Sequence, residues 1–290
     1  LPVNTGVHSG FDLNNDGQIV STVPDVPASP EDGSVAPQTD AGRAYGNDAW
    51  GFGVFPGQYG MALFVRDDWT VLRDSIRTFR QLRWHAMPNA SVPIDTTTYE
   101  PWYAPDEWAE MRLSSKSHWD VPVKLPGGEV LHVLASHPTP PGFDGVARRN
   151  SHRNQDEIRL WIDYLNDAEY VEDDSGRAGG LHEDASFVVM GDLNADPDDA
   201  SIFRDAIRRL IDHERVNGAV VPKASPARQA DYPDLDPDDT ARWEARADYV
   251  LPSANFTVQD AEIWRPHPDR VPEVSVSDHF PVWMDVRVGP

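Results

Sequence analysis

Residues Phe187-Val188-Val189-Met190 form a short apolar run that stops abruptly at Gly191-Asp192. A run of this length without alternation is the pattern of a buried strand. Upstream, Ile158, Trp161, Ile162 and Leu165 recur at i, i+3, i+4 and i+7 with charged residues opposite, which predicts a helix that packs by one face. Downstream, Asp196-Pro197 reads as a helix start, with aspartate as the N-cap and proline at the first helical position. Ile202, Phe203, Ala206, Ile207 and Leu210 supply that helix with an apolar face. A buried strand between two amphipathic helices points to an α/β fold, because each apolar face must be covered by another layer.

Further strands fit the same scheme. Tyr59 to Val65 is apolar between a glycine and Arg66-Asp67-Asp68, and reads as a buried strand. Residues 119 to 136 read as a hairpin turning at Pro126-Gly127-Gly128-Glu129, with Pro122 marking an edge strand. Asp248 to Leu251 and Phe280 to Val288 read as the last two strands, and residues 220 to 240 as a Pro/Asp-rich loop. Residues 1–45 are rich in Pro, Gly, Ser, Asp and Asn and read as an extended arm, leaving residues 46–290 as one domain without internal repeats.

Composition narrows the chemistry. The 290 residues contain no cysteine, so any metal is held by oxygen or imidazole. The net charge is −23, and the only lysines are Lys116, Lys124 and Lys223. Such a surface disfavours a protein whose task is to coat nucleic acid, since that affinity rests on cationic side chains facing phosphates. It does not disfavour a small phosphate ester or a nucleotide, because cations held by carboxylates can supply the positive charge locally. No apolar run reaches the roughly 18–20 residues of a membrane-spanning helix.

Polar residues suited to chemistry sit where apolar strands end. Asp192 and Asn194 follow the 187–190 strand, just ahead of a predicted helix N-terminus, a place that favours anions. His137 ends the strand Val133-Leu134-Ala135-Ser136 and is locked by Pro138, Pro140 and Pro141, which pre-position its imidazole. Asp278 and His279 precede the last strand, and can supply a carboxylate ligand and an imidazole for proton transfer. Asp248 puts a carboxylate in an apolar strand, where burial is costly unless it is paired; a histidine or Arg246 would serve. In the arm, Asp12-Leu13-Asn14-Asn15-Asp16-Gly17 has the opening of a calcium loop, but Val23 stands at its twelfth position in place of the bidentate glutamate. A plain Asx turn is the simpler reading.

The ordered set Gly191-Asp192-Leu193-Asn194, Asp248-Tyr249-Val250-Leu251 and Ser277-Asp278-His279 resembles the endonuclease/exonuclease/phosphatase (DNase I-like) superfamily, which includes pancreatic-type DNase, abasic-site endonucleases, sphingomyelinases and inositol-phosphate phosphatases. The stretches 112–120, 137–145 and 153–159 further resemble an uncharacterised, often exported bacterial branch, which implies an extracellular or periplasmic location. The resemblance implies a four-layer α/β/β/α sandwich with the site at one mouth. It also implies phosphate-ester hydrolysis with Mg2+ or Mn2+.

Carried across, Asp192 would orient or deprotonate the attacking water, and Asn194 would bind metal or phosphate. Asp278 would be a metal ligand alongside Asp192 and Asn194. His279 would act at the scissile phosphate with Asp248 holding its tautomer, and His137 would contact a phosphate oxygen. Arg148, Arg149 and Arg153 are candidate substrate clamps, with His118 a further one; Arg153 could equally pair with Glu157 along a helix.

The superfamily opens with strands bearing an Asn and a metal-binding Glu, and neither is legible before Tyr59. Together with the start at Leu1, this implies a C-terminal portion of a longer protein whose N-terminal remainder completes the site. Two other classes fit the same residues: a binding or structural module that keeps the fold without catalysis, and an extracellular protein stabilised by Ca2+ at Asp12, Asn14 and Asp16.

Overall fold

The computed structural model describes residues 1–290 except 26, 29–30, 32–37, 200, 268, 270–276 and 289–290; the side chains of Ile202 and Val288 and the residue Val276 also lie outside the described set. Its centre is a six-stranded mixed sheet. The short strands β1 (Thr70–Val71) and β2 (Arg77–Thr78) both pair with β3 (His118–Lys124), which pairs antiparallel with β4 (Val130–Ser136). Strand β5 (Ser186–Asp192) runs parallel to β4, and β6 (Asp248–Pro252) antiparallel to β5. A second sheet, of two described strands, joins β7 (Phe256–Ile263) to β8 (Val282–Val288). Helices and strands combine around this sheet in an α/β arrangement, the class that the resemblance implies. No described helix is long and apolar enough to cross a membrane.

Side-chain alternation gives the large sheet two apolar faces. Leu134, Phe187, Val189, Tyr249 and Leu251 face the main core, covered by the helix α3 (Arg149–Leu165) through Ile158, Trp161, Ile162 and Leu165. Burying each such side chain contributes roughly 1.5–3 kcal/mol. Helix α4 (Asp205–Ile211) adds Ala206, Ile207 and Leu210 to that core. Trp119, Val121, Val123 and Val133 face the other way, covered partly by Met61, Leu63 and Val65.

Several sequence expectations are corrected. Residues Tyr59 to Val65 form no strand: alternate residues Met61, Leu63 and Val65 pack on the sheet while Phe64 is 92% exposed, so the segment packs by one side without joining a ladder. Pro122 is not on an edge. It pairs with His132 of β4, and on its other side falls between the rungs that β1 and β2 make with β3, where a missing N–H costs no ladder bond.

Asp196-Pro197 starts no helix, for α4 begins at Asp205 after the 3-10 turn Ile202–Arg204. The Asp196 carboxylate instead accepts from the backbone N–H groups of Asp198 and Arg246. Strand β7 is an addition, hidden in sequence by an irregularity between Val258 and Asp260 that breaks its alternation. The arm is not wholly extended: it ends in the helix α1 (Asp40–Asn47), and its Leu13 is 2% exposed within the main core.

The α3 side also buries charge. Glu157, fully buried, accepts at Oε1 from the N–H and hydroxyl of Ser115 (2.6 and 2.8 Å) and at Oε2 from Thr139 N–H (2.6 Å). Arg77 and Asp173 pair at 2.7 Å with both side chains 3% exposed. Each of these buried carboxylates is met by donors aimed at it.

Candidate active site

The ladder between β5 and β6 places Asp192 directly opposite Asp248. Like charges at such a pair repel, and burial adds to the cost of ionising them. Burial, with the Asp248 charge as the next contribution, pushes the Asp192 carboxyl up to about 6. Asp248 is in turn oriented from behind: its N–H and that of Ala247 both donate to the buried Thr240 hydroxyl, at 2.9 Å each.

His279 arrives from the segment before β8, held by a backbone bridge to Ala241. Its Nδ1 lies 2.7 Å from Asp248 Oδ2, and its Nε2 lies 3.7 Å from Asp192 Oδ2. The first contact fixes the ring: Nδ1–H donates to the carboxylate and Nε2 faces the cleft. This hydrogen bond, more than any other cause, raises the basicity of His279 above that of an ordinary histidine. Trp243 braces the same ring edge-on, with centroids 4.8 Å apart.

His137 follows the end of β4 and approaches Asp192 Oδ2 with Nε2 at 3.3 Å. Burial, the Lys116 charge and then His279 hold it well below the ordinary histidine range. Asn194 sits at φ 50°, a left-handed conformation that asparagine tolerates. From there its N–H donates to Asp192 Oδ1 (2.9 Å) while its Nδ2 donates to Asp192 Oδ2 (3.1 Å) and to Pro138 O (3.2 Å). Gly191 makes the approach of β5 to β4 feasible: at φ 141°, a Cβ there would lie 2.1 Å from the Ser136 carbonyl oxygen. One ligand atom from each of Asp192, Asp248 and His279 falls within 4.8 Å of the others.

These groups open into a cleft of about 580 Å3. Asp278 lines it as well, exposed and outside the three-residue cluster. Arg148 stays at the surface with its guanidinium over Phe203, a residue of the cleft wall. Arg149, Arg153 and His118 are engaged elsewhere and none lines the cleft. Arg149 donates to Leu13 O and stacks on Trp102. Arg153 is buried on the carbonyls of Leu113, Trp50 and Arg112, an alternative to the Glu157 pairing that its spacing suggests. His118 is fully buried between Ser114 Oγ and Glu157 O, and burial holds it near 4, a neutral packing group.

The arm motif folds on itself. Asp12 accepts from the N–H groups of Asp16 and Gly17, and Asp16 from Gln18 N–H and Asn14 Nδ2, the bonding of an Asx turn. Three residues of the region are not among the expected site residues: Trp243 and Arg204 in the cleft wall, and Lys116 beneath it; Arg246, expected only as a partner for Asp248, also lines the wall. Trp243 lies in an aperiodic stretch and Arg204 among the charged residues of a predicted helix, while the lysine's rarity in this chain is what could have drawn attention to Lys116.

Residues 14–279 match the sequence model of the Endonuclease/Exonuclease/phosphatase family. No curated protein matches the chain. Among solved structures, the chain is similar to the endonuclease/exonuclease/phosphatase from Beutenbergia cavernae DSM 12333 (22% identity, 68% of this chain and 44% of that one, TM-score 0.40). It is also similar to the human Nocturnin catalytic domain with bound sulfate anion (14%, 77% and 62%, TM-score 0.41) and to the endonuclease/exonuclease/phosphatase from Bacteroides vulgatus (17%, 78% and 68%, TM-score 0.40). The chain thus spans less than two thirds of the first two structures.

Proposed function

The chain belongs to the endonuclease/exonuclease/phosphatase family, and on that premise we propose that it hydrolyses phosphate mono- or diesters by in-line attack of water, with Mg2+ or Mn2+. The observation that carries this reading is the convergence of Asp192, Asp248 and His279 on one spot, with His137 and Asn194 completing its rim.

The donor set suits a hard divalent cation. Two carboxylates face each other there, and the Asn194 amide sits against the Asp192 carboxylate. Asp192, Asn194 and the cleft-lining Asp278 would hold the ion. Once bound, it would neutralise charge gathering on the phosphoryl oxygens.

The chain's own groups do the rest. Asp248 keeps His279 in the tautomer whose Nε2 faces the cleft, ready to exchange a proton at the phosphoryl group. Asp192, lining the cleft near His279 Nε2, would orient the attacking water and take its proton. His137, lining the cleft with its Nε2 toward Asp192 Oδ2, would contact a phosphoryl oxygen. The rim favours a compact ester: Phe143 and Trp243, 83% and 47% exposed, line the cleft together with Arg204, while the net charge of −23 disfavours long nucleic acid.

The test is turnover of a generic phosphodiester by Asp192→Ala and His279→Ala. Each should fall by about 10^2–10^4-fold with little loss of stability. Wild-type turnover from either variant would sink the proposal. Calorimetric titration with Mn2+ separates an enzyme from a binding module on the same fold, since heat of binding should vanish in Asp192→Ala.

A further inference from the structure

Lys116 lies in the loop leading into β3, and its backbone is pinned on every side. Its carbonyl accepts from Asn4 N–H at 2.8 Å, Ser115 before it is held by Glu157, and Gly51 packs so closely on the Ser115 carbonyl that a Cβ there would lie 1.8 Å from the oxygen. The side chain is only 4% exposed. Its ammonium has three N–H donors and one hydrogen bond, to Pro138 O at 3.3 Å, and makes no ion pair among the described residues.

Burying an ammonium so sparsely paired costs several kcal/mol. A methionine of similar length would avoid that cost. Neutralising Glu157 is not reason enough, because its carboxylate already accepts three hydrogen bonds from Ser115 and Thr139 and the buried Arg153 guanidinium attracts it as well. Burial pulls the ammonium down to about 8, so much of it stays charged at neutral pH.

What the ammonium reaches is informative. Pro138 O accepts from two donors, Lys116 Nζ and Asn194 Nδ2, and the same Asn194 nitrogen donates to Asp192 Oδ2. Pro138 also follows His137, whose Nε2 meets that carboxylate oxygen. One carbonyl therefore joins a buried cation to three groups of the cleft. Glu157 ties the two loops concerned, through Ser115 next to Lys116 and Thr139 next to Pro138.

We propose that Lys116 is a positioning residue: by anchoring the Pro138 carbonyl from below, it holds the Asn194 amide against Asp192 and sets the His137 loop, without touching substrate. The proposal rests on the phosphoesterase reading above for its kinetic consequence, but not for its geometric one.

Lys116→Met should lower kcat by about 10–100-fold, the range for partners that orient a site from behind, with KM little changed. Its unfolding midpoint should not fall. The chain has no cysteine, so Lys116→Cys introduces a single thiol. Aminoethylation of that thiol in the unfolded chain, followed by refolding, restores an ammonium at lysine's length and should recover most of the lost kcat.

A second readout needs no turnover. The Asn194 side-chain amide, assigned by its loss in Asn194→Asp, should shift and exchange faster with solvent in metal-free Lys116→Met. Unchanged kcat together with an unchanged Asn194 amide overturns the proposal, as does a kcat deficit that aminoethylation leaves in place in correctly refolded protein. If wild-type protein turns over no phosphodiester, the functional reading fails, and the amide signal alone decides on Lys116.

Discussion

Two groups of carboxylates, one buried on the α3 side and one half-buried at the cleft, are treated in opposite ways. Beneath α3, Glu157 meets three donors from Ser115 and Thr139, and Asp173 meets Arg77, Ser175 and Arg177. At the cleft, Asp192 faces the carboxylate of Asp248 and draws partial compensation from Asn194 and two histidines. The first arrangement is settled without any visitor; the second carries unrelieved repulsion that a cation would remove. The two groups differ in exposure, with the Asp192 and Asp248 side chains 17% and 21% exposed against 3% for Asp173, and they differ in the identity of the facing group.

The comparison can be broken by removing one charge from each side. Glu157→Ala strips acceptors from three buried donors and should destabilise the fold by roughly 3–5 kcal/mol, read from urea denaturation. A loss under about 1 kcal/mol would mean that these donors find other partners.

Asp192→Asn should act in the opposite direction. In the metal-free protein at pH 7.5 it should stabilise by about 1–3 kcal/mol, because the carboxyl moved from 3.8 to about 6 resists ionising in the fold. The sign follows from proton linkage: between those two values the folded chain holds a proton that the unfolded chain releases, so stability falls as pH rises through that window. His279 adds to the same slope. Its raised value contributes stability that is complete below the ordinary 6.5 and is lost as pH climbs through the folded value. Denaturation curves from pH 4 to 8 should therefore decline for wild type and flatten over the lower part of that range in Asp192→Asn; parallel curves would contradict the assignment.

The smallest effect concerns the arm. Because Asp12 and Asp16 are occupied by their own turn, millimolar Ca2+ should move the metal-free unfolding midpoint by less than about 1 °C. A larger rise that Asp12→Ala removes would show a cation site there after all.

Much of this arrangement was legible in the sequence because it lies on strands. Apolar runs announce where β4, β5 and β6 end, so His137, Asp192, Asn194 and Asp248 could be placed at a rim before any contact was known. Loops carry no such period. Trp243 and Lys116 reach their places through aperiodic chain, and no period sets them apart from solvated residues, while Arg246 stands out only as a possible partner for Asp248. The same blindness made Arg149, Arg153 and His118 look available, since a sequence shows charge but not the carbonyls waiting to bind it. Asp196-Pro197 misled for a related reason: a good capping pair is also a good turn, and its carboxylate found Arg246 N–H, distant in sequence, instead of a helix.

The rung that sets Asp192 against Asp248 has a consequence for how such a protein can change over generations. Spacing between the two acids is fixed by the ladder, not by the long excursion that connects them. Away from Asn194 and residues 240–243, which hold Asp192, Asp248 and His279 in place, that excursion can gain or lose residues without disturbing the reacting groups, provided the two strands keep step. Since it also carries Phe203, Arg204, Trp243 and Arg246 to the cleft wall, what is recognised can drift while what is done to it stays the same.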